Sequence, residues 1–153
     1  MSPESPDRAE VLADRLRNLD LEGFSHLRVL VAGDFMLDEY LWGKVERVSP
    51  EAPVAVVEVE RETRTLGGAG NVVNNLVALG AQVEVLGLVG DDNPGHLLTQ
   101  EMARLGVAVD GLFTDQSRRT SRKTRVIGAA QQVVRIDRET RTPAPPAFEA
   151  AAR

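Results

Sequence analysis

Two short apolar runs constrain this chain more than any other feature. Val29-Leu30-Val31-Ala32 is uninterrupted, and Val83 to Val89 is broken only by Glu84. A strand with one wet face alternates apolar and polar side chains, so a continuous apolar run belongs to a parallel sheet covered on both faces. Parallel neighbours cannot be joined by a tight turn and need helices between them. The chain supplies those helices. One follows Gly67-Gly68-Ala69-Gly70, with Val72, Leu76 and Leu79 as its expected inner face and Gly80 as its stop. A second follows Gly90-Asp91-Asp92, with Asn93 as the expected cap, Pro94 at the first position, Leu98, Met102 and Leu105 inward, and Gly106 as the stop. Val107, Val109, Leu112 and Phe113 read as a further strand. The order strand, helix, strand, helix, strand predicts a right-handed, doubly wound, mostly parallel α/β layer.

Two regions do not fit that layer. In 43–62, Pro50 and Pro53 interrupt the chain, and Val57 to Glu62 alternate as a half-exposed antiparallel strand does. In 120–138, Lys123 to Ile127 and Gln132 to Asp137 flank Gly128-Ala129-Ala130, which predicts a hairpin. Residues 7–20 carry Leu12, Leu16 and Leu19 at helical spacing, so residues 1–24 read as an N-terminal helical extension before one domain at 25–153. The Pro- and Ala-rich stretch from Thr142 to Arg153 reads as the start of a helix or a loose end.

Composition removes several function classes. No apolar run approaches the roughly 20 residues that cross a bilayer. The opening MSPESPDRAE is polar and acidic, unlike a signal peptide. With no cysteine there is no disulfide scaffold, thiolate metal site or cysteine nucleophile, which fits a cytoplasmic protein. His26 and His96 lack metal-ligand spacing, so no metal site is expected. The net charge of −5 divides into −9 over residues 1–109 and +4 over 110–153. Five of the eight residues 118–125 are basic, but aromatics make up only 4% of the chain. That favours a small anion over a nucleic acid as the partner.

In an open α/β sheet, ligands bind beyond the carboxyl ends of the strands. Asp34 and Asp38 follow the first strand, and a carboxylate there can accept from two vicinal hydroxyls. Asp91 and Asp92 follow a later strand, where Asp92 reads as a helix cap. The turn Gly67-Gly68-Ala69-Gly70-Asn71 allows close approach of a ligand to bare backbone, with Asn71 in the first helical turn. It is neither a G-x-G-x-x-G fingerprint, because position 73 is Val, nor a P-loop, because no Gly-Lys-Ser/Thr follows.

Taken together, Gly33-Asp-Phe-Met-Leu-Asp38, Arg47-Val-Ser-Pro-Glu-Ala-Pro-Val54, Gly67-Gly-Ala-Gly-Asn71 and Gly90-Asp-Asp92 resemble the N-terminal half of a ribokinase-type (PfkB) carbohydrate kinase. The similarity runs from about Arg28 to Asp137. Within the family, Tyr40, Trp42 and the 47–54 segment look most like the heptose 7-phosphate kinases of lipopolysaccharide precursor synthesis, which form the first domain of a bifunctional kinase/adenylyltransferase. Val73 departs from the family signature, which has a small residue there.

The resemblance implies a ribokinase-like fold with a small β lid formed by 43–62 and 120–138. It implies that Asp34, Asp38, Gly67, Gly68 and Asn71 hold the sugar. It also implies that Lys123, Arg125 and Arg135 lie on the lid, where a sugar phosphate could be met, and that the lid is a homodimer contact. The family's catalytic Gly-Ala-Gly-Asp motif does not occur in this chain, and its nucleotide pocket lies in the other half. No catalytic residue is therefore expected here. ATP and Mg²⁺ are cofactors expected of a full-length relative and are not expected to bind this stretch well. Rival readings are another sugar kinase of fructokinase or ribokinase type, a non-catalytic sugar-binding or dimerisation module, and an unrelated α/β nucleotide-binding domain, which the failed glycine fingerprints disfavour.

Overall fold

The computed structural model describes residues 12–14, 17 and 21–152. Most of the helix expected over 7–20 therefore lies outside the described residues. A 3₁₀ turn at Glu22–His26 leads into β1 (Arg28–Ala32). The remaining strands are β2 (Phe35–Val48), β3 (Ala55–Gly68), β4 (Gln82–Gly90), β5 (Leu112–Asp115), β6 (Ser121–Gly128) and β7 (Gln131–Arg138). The helices are α1 (Ala69–Ala78), α2 (Asn93–Arg104) and α3 (Pro146–Ala151).

The strands form two sheets. The first is parallel with order β1-β4-β5, and α1 and α2 make its crossovers. Right-handed crossovers that step the same way along a sheet put both helices on one face. The core agrees: Val73 of α1 and Leu98 and Met102 of α2 share one cluster with Val31, Val83, Val85 and Val89. Leu30, on the other face of β1, is 60% exposed, so its apolar run is not covered on both sides as expected.

The inner face of α1 is shifted from the sequence reading, whereas Leu98 and Met102 of α2, with Leu105 after it, face the core as expected. Val73, fully buried, and Leu76 face the core, whereas Val72 and Leu79 are exposed. Val73, the departure from the family signature, is thus a core residue. Asp92, not Asn93, caps α2, accepting from the Gly95 amide at 3.0 Å. The expected stops hold: Gly80 and Gly106 take φ values of 91° and 77° after the two helices. Of the strand expected over 107–113, only Leu112 and Phe113 join β5, with one further bridge from Ala108 to Glu84. The C-terminal stretch does form a helix, α3, whose Phe148 meets Phe113 edge-on at 5.4 Å.

The second sheet has order β3-β2-β6-β7. β2 pairs antiparallel with β3 and parallel with β6, and β6 pairs antiparallel with β7. Its first segment is wider than the 43–62 expected, because the chain leaves β1 through a two-residue turn and enters β2 at Phe35. Asp38 is consequently a strand residue and not part of the turn after β1. Likewise, Gly67 and Gly68 end β3, and α1 starts directly after them. The β6–β7 hairpin turns through Ala129 and Ala130, both at positive φ (48° and 64°).

Candidate functional site

Successive residues of a strand point to opposite faces. In β2 this puts Met36, Asp38, Tyr40 and Trp42 on what we call the front face, and Leu37, Glu39 and Leu41 on the back. The register then builds rows across four strands. One row runs Thr65, Asp38, Lys123, Asp137, and the next runs Thr63, Tyr40, Arg125, Arg135. The same pleat splits the basic run 118–125, so it is not one patch. Lys123 and Arg125 face front, Arg122 faces back, and Arg118 is tied to Asp115 and to the Thr142 and Pro143 carbonyls.

On the front face, Arg125 Nη1 donates to Asp38 Oδ1 at 2.7 Å. The two side chains are 22% and 19% exposed. The Arg125 guanidinium lies 5.3 Å from the Tyr40 ring centroid, and its hydrogen bond to Asp38 holds its pKa above the ordinary arginine value. Tyr40 stacks on Trp42 at 5.7 Å, and Arg61 lies 4.8 Å from the Trp42 ring. Asp38 Oδ2 takes no partner among the described residues and lies against Gly67, where a Cβ would come within 2.5 Å of it. A side chain at 67 would push this carboxylate aside. Arg135 grips both oxygens of Asp137 at 2.9 Å. Lys123 stands in the row between the two carboxylates and pairs with neither.

The back face is closed. Glu39, 6% exposed, accepts from Arg64 Nε at 3.1 Å through one oxygen and from Thr124 Oγ1 at 2.8 Å through the other, with Arg122 at 3.7 Å. Burial pushes its carboxyl up, but the bonds from Thr124 and Arg64 and the charges of Arg122 and Arg64 outweigh this, so its pKa lies below the ordinary value. A second, half-buried carboxylate joins the two sheets. Besides capping α2, Asp92 accepts from the Thr120 hydroxyl at 2.6 Å and its amide at 3.1 Å. Burial raises the Asp92 pKa, but the Thr120 and Gly95 hydrogen bonds and the Arg122 charge bring it below the ordinary value.

Of the residues singled out in the sequence, Asp38, Gly67, Lys123, Arg125 and Arg135 are brought onto one face. Asp34 is not among them. It is exposed in the β1–β2 turn, at a cavity of about 620 Å³ that Phe35, Leu86, Arg119 and Phe148 also line. Its carbonyl accepts from the Ala69 amide at 3.0 Å, beside Gly68, which needs its positive φ of 56° there. Asn71 lines a smaller cavity of about 310 Å³ with Arg64, Thr65 and Glu101. Tyr40, Trp42, Glu39 and Asp137 were not singled out as site residues. Period-two reading of Phe35 to Trp42 would have placed the first three. His96 is a surface residue 3.6 Å from Asp91. Among the described residues, no three His, Asp or Glu side chains cluster as a metal site, and no helix is long and apolar enough to cross a membrane.

Comparison with known proteins agrees with this fold. The model of the pfkB family carbohydrate kinases matches residues 27–151. Bifunctional protein HldE of Desulfatibacillum aliphaticivorans is 59% identical over 84% of this chain and 26% of its own length. That of Pelobacter propionicus is 67% identical over 74% of this chain and 23% of its own. This chain thus spans about a quarter of these relatives. Among solved structures, a carbohydrate kinase from Agrobacterium tumefaciens superposes with a TM-score of 0.60 at 26% identity, covering 73% of this chain and 35% of that one. A ribokinase from Cryptococcus neoformans, solved with ADP, shares the fold with a TM-score of 0.57 over 78% of this chain and 37% of its own. The chain belongs to the pfkB family of carbohydrate kinases.

Proposed function

We propose that this chain is the sugar-binding and lid half of a kinase that transfers the ATP γ-phosphoryl group to a sugar phosphate, heptose 7-phosphate, in making a lipopolysaccharide precursor. The observation that carries this reading is the front face of the second sheet. There Asp38, a carboxylate with one oxygen free among the described residues, lies beside the bare Cα of Gly67 and in the same row as Lys123, a cation unpaired among them. Such a pair suits a ligand with hydroxyls at one end and an anion at the other. Asp38 and Gly67 take the sugar hydroxyls, with Asp34, Gly68 and Asn71 as further contacts. Lys123, Arg125 and Arg135 give this face the positive charge that draws the phosphate in. Identity of 59–67% to two HldE proteins supports the heptose substrate over ribose or fructose.

This chain's residues bind and orient the acceptor. ATP supplies the phosphoryl group, and Mg²⁺ would neutralise its charge. No residue of this chain is proposed to hold either group. The lid is also the proposed homodimer surface. β7 is an edge strand, and Val133, Val134 and Ile136 are 40–46% exposed on it. The protein acts in the cytoplasm on this reading. Calorimetric titration tests the substrate. Heptose 7-phosphate should bind more tightly than ribose or fructose, and tighter binding of either competitor would overturn the assignment.

A further inference from the structure

The three basic residues that β6 and β7 place on the front face are not equivalent. Arg135 spends two N–H groups on Asp137, and Arg125 spends one on Asp38 while lying over Tyr40. Of these three, only Lys123 has no hydrogen-bond or ion-pair partner among the described residues, although it stands in the row between both carboxylates. An arginine already bonded to a carboxylate offers an incoming phosphate less than a free ammonium does, because the phosphate must compete with the bond in place.

We infer that Arg125 is a positioning residue for Asp38, and that the phosphate contact falls to Lys123. Arg125 fixes Asp38 through Oδ1, the Tyr40 ring fixes the guanidinium from below, and the missing side chain at Gly67 leaves room for Oδ2. The oxygen that remains is thereby aimed at a sugar hydroxyl. Holding a binding group in one orientation before the ligand arrives removes an ordering cost from binding. This division of labour rests on the sugar-phosphate reading above.

The two roles separate when the ligand is varied. A phosphate contact matters only when the phosphate is present. A residue that orients Asp38 matters for the sugar with or without it. The protein would be titrated with heptose 7-phosphate and with the same heptose lacking the phosphate, as wild type, Arg125→Ala, Lys123→Gln, Asp38→Asn and the Asp38→Asn/Arg125→Ala pair. Arg125→Ala should weaken both ligands by a similar factor, tenfold or more, and should add little on top of Asp38→Asn. Lys123→Gln should weaken only the phosphorylated ligand. Arg125→Lys keeps an N–H for Asp38 and should recover part of the loss. It also serves if the alanine variant does not fold, because a lysine that restores binding of both ligands supports the positioning role. Loss confined to the phosphorylated ligand in either Arg125 variant would overturn the inference, as would full multiplication of the Asp38 and Arg125 effects. A wild-type protein that binds both ligands equally refutes the Lys123 contact but leaves the sugar site standing. One that binds neither refutes the sugar reading itself.

Discussion

Asp38 and Glu39 are neighbours in sequence, each a carboxylate on β2 bonded to an arginine, and the pleat sends them to opposite faces. On the back, both Glu39 oxygens are used, by Arg64 and Thr124, and the residue is buried. On the front, Asp38 uses one oxygen, and Gly67 keeps the space beside the other clear. A saturated, buried carboxylate can only hold the sheet together. A braced carboxylate with a free oxygen can take a ligand. One residue of register and one missing Cβ separate the two environments.

The largest effect should come from the back face. Glu39→Ala leaves Arg64, Arg122 and Thr124 without their shared acceptor and should cost about 3 kcal/mol of stability, the low end for a broken buried pair because Arg64 is 45% exposed. Urea unfolding measures it. A loss under about 1 kcal/mol would mean the network is no stronger than a surface pair. Next, Asp92→Ala removes the α2 cap and both bonds to Thr120, and should cost about 2 kcal/mol. Because Asp92 ties β6 to α2, amide exchange should rise at the start of β6 as well as in the first turn of α2. Exchange confined to α2 would reduce Asp92 to a plain cap.

Both carboxyls have pKa values below the ordinary range. Their contribution is therefore present above the unfolded carboxylate pKa, about 4, and is lost as pH falls through the lower folded values. Acid unfolding should set in below about pH 4 and become less steep in Glu39→Gln. An unchanged acid profile in that variant would remove Glu39 from the account.

The parallel layer was legible because its signals are local. Apolar runs, the Leu-Gly stops and Pro94 all name their own elements. The inner face of α1 is misread at Val72, because Val72 and Val73 are both apolar and only the contact with the sheet chooses Val73. The second sheet was legible as two off-layer β regions. Its extent was not, because Asp34-Phe35 looks like turn chemistry and only pairing with β3 and β6 makes Phe35 to Trp42 a strand. Once that strand is in place, it separates Asp34 from Asp38, which sequence proximity had joined. It also divides the basic run between two faces and a loop. Those are long-range facts, set by partners 25 to 87 positions away, such as Arg64 for Glu39 and Arg125 for Asp38.

The smallest effect belongs to the hairpin tip, outside the comparison of faces. Ala129 and Ala130 both adopt the left-handed region that a two-residue hairpin turn requires and that Gly or Asn takes more readily. Ala130→Gly should stabilise the protein by about 0.5 kcal/mol, the relieved strain being partly offset by a freer unfolded chain. Thermal unfolding would show a small rise with sugar affinity unchanged. A fall would mean that the turn conformation is wrong.

The contrast between adjacent carboxylates is tested most directly by titrating Asp38→Asn and Glu39→Gln with heptose 7-phosphate, and by measuring the melting temperature of each without ligand. Asp38→Asn should lose about tenfold or more in affinity, at a melting temperature close to that of the wild type. Glu39→Gln should melt earlier while the protein that remains folded binds as the wild type does. Asp91→Asn, on an exposed carboxylate outside both faces, should change neither. Equal affinity losses in the Asp38 and Glu39 variants, or a loss in Glu39→Gln alone, would contradict the assignment of binding to the front face.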